Sequence, residues 1–116
     1  MSALETFFDA WSETDAASRR DKIASAMAES FAYSDPRSGA ALTDLDALSD
    51  YVGQFSANAP GWTATVEKAE TINGFARATV AFGGKGPDGS DMVQHGTYFA
   101  AVDTDDKLTT LAGFVG

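Results

Sequence analysis

The chain has no cysteine, one histidine (His95), three prolines, and eight lysines and arginines against seventeen aspartates and glutamates. Without cysteine neither a disulfide nor thiolate chemistry is available, which fits a cytoplasmic protein. A single histidine excludes a His-rich metal centre, and the acidic residues are scattered without calcium-loop spacing, so neither metal nor cofactor is expected. The formal charge of -9 repels a phosphate backbone, which removes nucleic acid from the partners to consider. No apolar run approaches the roughly 20 residues of a membrane helix. The opening MSALETFFDAW is acidic and amphipathic, unlike a basic leader with an apolar centre, so no membrane partner is expected.

What is present is core material. The 116 residues are 44% hydrophobic and include eight Phe, three Tyr and two Trp, enough for one domain spanning 1–116. Leu4, Phe7, Phe8 and Trp11 follow i, i+3, i+4, i+7 spacing and predict a helix with one aromatic face. Ser12 and Asp15 read as a variant capping box before a second helix between Ala16 and Ala28, through Ile23 and Met27. The run Phe31 to Ser34 is too brief for another helix and stops at Asp35-Pro36. Thr43 with Asp46 marks a third helix start; Leu45, Leu48, Tyr51, Val52 and Phe55 keep helical spacing until Ala59-Pro60-Gly61.

Beyond Trp62 the composition turns to Thr, Val, Ala and aromatics, with turn signals at Asn73-Gly74, at GGKGPDGS (83–90) and around Asp103 to Asp106. Four strands are predicted near 62–72, 75–83, 91–103 and 107–115, all antiparallel because their connections are too short for parallel crossovers. Helices followed by a meander make an α+β domain, with N-terminal helices packed in a strongly curved antiparallel sheet. Such a sheet leaves a hollow on its concave side, a favourable place for a small ligand. Trp11, Tyr33, Tyr51, Phe55, Trp62, Tyr98 and Phe114 are the aromatics that could line it, each with an alternative role as plain core.

Asp35 is the best candidate for acid/base chemistry: a carboxylate between Tyr33 and the mouth of an aromatic hollow is partly desolvated, a setting suited to proton transfer. Its alternative role is an Asx-Pro turn, and the two are compatible. His95 could also move protons, but strand alternation puts it on the face opposite Tyr98, and Tyr98 is expected inward. Arg77 reads either as a clamp for an anion or carbonyl, or as a cross-strand partner of Glu67 or Glu70, the second being preferred. GGKGPDGS lacks the spacing of a phosphate-binding loop and reads as a flexible hairpin.

The words FFDAW, FAYSDP, YVGQF, APGW, GFARATV, HGTYFAAVD and LAGFVG, in this order over essentially the whole chain, resemble the SnoaL-like branch of the NTF2-like superfamily. The resemblance implies a cystatin-like cone with a central pocket and frequent dimerisation through the sheet. It also implies that Trp11, Tyr33 and Asp35 border the pocket. Polyketide cyclases and isomerase-like relatives use a pocket carboxylate for proton transfer. Many carry an acidic residue where this chain has Tyr98, and a histidine near the present Ile72 and Asn73; both departures argue against cyclase chemistry of that type. Two functions follow: a protein for a small apolar or aromatic ligand, catalytic through Asp35 and Tyr33 as a cyclase, isomerase or hydratase, or a non-catalytic module with a filled hollow. A homodimer through the outer sheet face is expected in either case, since helices on one side leave the other uncovered.

Overall fold

A computed structural model describes residues 2–115; Met1 and Gly116 lie outside the described residues. Helix α1 (Ala3–Asp9) opens on a reciprocal cap: the Ser2 side chain accepts from the Glu5 amide, and the Glu5 carboxylate accepts from the Ser2 N–H. It buries Leu4, Phe7 and Phe8, the face expected from their spacing, and a short 3-10 turn (Ala10–Ser12) adds Ala10 and Trp11. Asp15 alone caps α2 (Ala16–Ala26), accepting from the Ser18 amide at 2.8 Å, while Ser12 bonds back to the Asp9 carbonyl. Helix α2 stops before Ala28 because Met27 is already extended (φ -93°, ψ 145°).

The first correction follows at once. Met27–Ser34 is a strand, β1, which buries Met27, Phe31 and Tyr33. Helix α3 (Leu45–Asn58) comes next, capped by Asp44 rather than Thr43, since the Asp44 carboxylate accepts from the Asp46 and Ala47 amides. The meander is as expected within two residues at each end: β2 (Thr63–Ile72), β3 (Phe75–Lys85), β4 (Asp91–Val102) and β5 (Leu108–Val115). Its neighbours pair antiparallel, but the sheet order is β1-β5-β4-β3-β2, and β1 runs parallel to β5. The sheet therefore has five strands and is mixed. Short hairpins forbid parallel pairing only between consecutive strands; α3 and three strands separate β1 from β5 and supply the crossover.

A bulge between Val66 and Lys68 shifts the register of β2, the kind of irregularity that bends a strand and increases its twist. Beyond it the edge strand exposes Glu67, Lys68 and Glu70, charges that discourage pairing with another chain. On the helix-facing side, Ala76, Ala78, Val80, Gly96 and Ala100 are buried and small, leaving depth for rings delivered by the helices. Gly113 shows why: a Cβ there would stand 2.4 Å from a ring carbon of Tyr98, its cross-strand partner. Asn73 (φ 50°) and Gly74 (φ 82°) make the β2–β3 hairpin turn, both in the left-handed conformation that Asn-Gly supplies.

Candidate functional site

Tyr33 ends the inward row of β1, and the chain leaves the core two residues later through Asp35-Pro36. The carboxylate of Asp35 performs the turn role: Oδ1 accepts from the Arg37 amide at 2.8 Å, while the Ser38 hydroxyl bridges its backbone at 3.1 Å. It also gathers phenols. Tyr33 donates to Oδ2 at 2.6 Å, and the Tyr51 hydroxyl, arriving from α3, lies 2.6 and 2.7 Å from the two carboxylate oxygens. Tyr98 of β4 stands close enough to Tyr33 that each bears on the other's ionisation. Strands β1 and β4, helix α3 and the turn after β1 thus meet in Tyr33, Tyr98, Tyr51 and Asp35.

These phenols resist ionisation. Burial pushes Tyr33 far up, and neighbouring Tyr98 and Asp35 push it further. Burial also raises Tyr51, assisted by its hydrogen bond to Asp35, and moves Tyr98 up to about 12. All three remain protonated donors across the physiological range. The cluster can therefore hold a carboxylate in place, polarise a carbonyl or relay a proton. Asp35 is half-buried, and an open depression of about 230 Å³ lies beside it, lined by Ser34, Asp35, Pro36, Ser38, Gly39, Ala40 and Ala41.

Trp11 is the hub of the aromatic cluster. Its ring centroid lies 5.2 Å from Phe55, 5.5 Å from Phe82, 6.2 Å from Tyr51 and 6.5 Å from Tyr33. Aromatic pairs of this kind are worth about 0.5–1.5 kcal/mol beyond the area they bury. The hollow is consequently packed with rings: Phe7, Phe8, Trp11, Tyr33 and Tyr98 are buried, whereas Tyr51, Phe55 and Phe82 are half-buried at its rim. Trp11 Nε1 is buried without a hydrogen-bond partner among the described residues, a condition that costs about 1–3 kcal/mol.

Trp11, Tyr33, Tyr51, Phe55 and Tyr98 are thus brought together. Trp62 stands apart, half-buried over Gly84, with Nε1 donating to the Lys85 carbonyl at 3.0 Å. Phe114 does not converge at all: it is 56% exposed on the outer face, 5.8 Å from Phe99. The register explains this, since Tyr98 pairs with Gly113 and so turns Phe114 outward. His95 and Arg77 also lie on the outer face, His95 3.0 Å from Glu67 and Arg77 3.0 Å from Glu70. Phe8 and Phe82 were absent from the expected lining. Phe82 is readable in the sequence, because it continues the inward alternation of Ala78 and Val80; the helical spacing of Phe8 states its helix face and not its neighbours on the sheet. Among the described residues no group of three or more His, Asp or Glu side chains is placed to hold a metal.

Residues 4–111 match the family of SnoaL-like domains. None of the curated proteins matches the chain significantly. Among solved structures, a protein provisionally assigned as an isomerase of the SnoaL-like family from Agrobacterium tumefaciens superimposes with a TM-score of 0.81 at 23% identity, covering 98% of this chain and 94% of that one. An NTF2-like protein of unknown function from Exiguobacterium gives 0.76 at 23% identity, with 99% and 98% covered. A hypothetical protein with a ketosteroid isomerase-like fold from Catenulispora acidiphila, in complex with trimethylamine, gives 0.78 at 15% identity, with 98% and 85% covered. At these identities the solved structures establish the fold alone. The match over residues 4–111 places the chain in the family of SnoaL-like domains.

Proposed function

We propose that the chain acts as a single small-molecule-binding domain that takes a ring-containing, neutral or weakly polar compound at the rim of its ring-filled hollow, beside Asp35, with proton transfer of the isomerase, cyclase or hydratase type at Asp35. The observation that carries this reading is the pair of phenol hydroxyls at 2.6 Å from one half-buried carboxylate, beside an open depression. Tyr33 and Tyr51 hold the carboxylate at the rim, and a substrate reaching Asp35 displaces one of these donors. The freed phenol is then available to a developing oxyanion.

Tryptophan fluorescence and thermal shift against a panel of neutral ring compounds test the binding reading; binding confined to anions would refute it. Once a substrate is in hand, Asp35→Asn keeps the shape and removes the acid/base group. Turnover is expected to fall by about 10²-fold or more with binding retained, and unchanged turnover would reduce Asp35 to a turn residue.

A second reading has its own observation. Rings fill the hollow, while Phe75 (61%), Val93 (57%), Phe99 (47%) and Phe114 (56%) are exposed on the other side of the sheet. An apolar face of this kind favours a homodimer through the outer sheet, with or without catalysis. Size-exclusion chromatography with light scattering decides it: a dimeric mass that Phe99→Asp converts to a monomer is expected, and a monomeric wild type at high micromolar concentration would sink it.

A further inference from the structure

The ion pair of Arg77 with Glu70 leaves most of the guanidinium unused. Of the five N–H donors such a group carries, one reaches Glu70, through Nη2 at 3.0 Å. Lys68 stands 3.3 Å from the other oxygen of the same carboxylate. Two cations thus share one anion, and the neighbouring Lys68 and Arg77 hold the Glu70 carboxyl below the usual carboxylate range. Glu67, the next carboxylate along β2, lies 3.0 Å from His95. Strand register sets these groups in two rows across the outer face: Lys68, Thr79, Thr97 and Phe114 in one, Glu70, Arg77 and Phe99 in the other. An open depression of about 270 Å³ is lined by Lys68, Glu70, Arg77, Thr79 and Thr97. Phe99 and Phe114 continue the two rows beside it, 5.8 Å apart and both exposed.

We infer that this depression binds an aromatic carboxylate, its charged end on Arg77 and Lys68 and its ring against Phe99 and Phe114. The inference is independent of the chemistry proposed at Asp35. A carboxylate fits because the guanidinium presents parallel N–H donors to two coplanar oxygens. A single negative charge matches the local balance, two cations against the one carboxylate of Glu70. A dianion such as phosphate is disfavoured by Glu67 and Glu70 nearby and by the formal charge of -9 on the chain. The ring is called for by Phe99 and Phe114, which meet edge to face (interplanar angle 74°) and keep about half their surface exposed; a third ring laid beside them extends that contact. Lys68 and Arg77 are themselves exposed, so the ligand enters without opening the fold.

The test titrates benzoate, acetate and benzyl alcohol into the ¹⁵N-labelled protein at one fixed ionic strength, because exposed charges are screened by salt. Benzoate is expected to shift the backbone amides of Thr79 and Thr97 and the Nε–H of Arg77 saturably. It should bind more tightly than acetate, which lacks the ring, and than benzyl alcohol, which lacks the charge. In Arg77→Gln the benzoate affinity is expected to fall by about tenfold or more, whereas Lys85→Gln, at a cation of β3 outside the depression, leaves it unchanged. Arg77 is exposed, so its replacement leaves the fold intact. Equal affinity for benzoate and acetate, or equal benzoate affinity in Arg77→Gln and the wild type, would overturn the inference. Benzoate shifts confined to the surroundings of Asp35 would overturn it as well. So would the absence of saturable shifts up to the solubility limit, whatever the oligomeric state, since a second copy seated on this face would close the depression.

Discussion

On β3 and β4, residues adjacent in sequence inhabit opposite environments. Ala78 and Tyr98 pair on the inner face, both buried, whereas their neighbours Arg77 and Phe99 pair on the outer face, both exposed. Inside, small side chains on the strands make room for rings from the helices, and the hydroxyls of Tyr33 and Tyr51 are tied to Asp35. Outside, ion pairs such as Arg77–Glu70 and Glu67–His95 lie among exposed phenylalanines. Packing supports the inner face; the outer face is left to solvent or a partner.

The largest expected effect separates the two faces directly. Trp11→Ala empties the centre of the ring cluster and is expected to cost about 3–5 kcal/mol by urea denaturation, whereas Phe114→Ala, at 56% exposure, should stay within about 1 kcal/mol. Comparable losses would mean that the outer face is covered in solution.

Alkaline pH gives the next effect. A phenol whose folded pKa lies above its unfolded value of 10.0 contributes stability that is complete below pH 10 and is lost as pH rises toward the folded value, about 12 for Tyr98. Tyr98 therefore accounts for about 2–3 kcal/mol of the loss across that window. Urea midpoints measured at pH 9, 11 and 12 should fall more steeply in the wild type than in Tyr98→Phe; parallel slopes would contradict the burial assigned to this hydroxyl.

The smallest effect belongs to the outer ion pairs. Arg77→Ala is expected to cost less than about 1 kcal/mol, and less again in high salt, because both partners are half or more exposed. A larger, salt-insensitive loss would indicate that Arg77 meets something buried on that face.

The inner/outer alternation was legible because it needs only period two and one fixed residue. Once Tyr98 is set inward, Gly96 and Ala100 follow, and His95 and Phe99 face out. Phe114 was misplaced for the complementary reason: its direction depends on the Tyr98–Gly113 register, which no local pattern states. Strand β1 was hidden because Glu29 and Ser30 interrupt its alternation and its partner lies far along the chain. At Asp35 the turn chemistry could be read from Asp-Pro, and Tyr33 stands two residues away. The arrival of Tyr51 from α3 is a tertiary event, and so is the orphaned nitrogen of Trp11. Each depends on how a helix seats against the sheet.

The parallel pairing of β1 with β5 bears on the order in which the protein assembles. Every hairpin of the meander closes over a short loop, whereas Tyr33 must find Leu111 across most of the chain, at a much greater loop-closure entropy. On loop-closure entropy the hairpins of the meander are the cheaper pairings, and β1 joins the sheet through the one pairing that closes a long loop. Tyr33 lies on β1 and Asp35 just after it, so the carboxylate cluster depends on that long-range pairing: Tyr51 and Tyr98 meet Asp35 only where β1 lies beside β5.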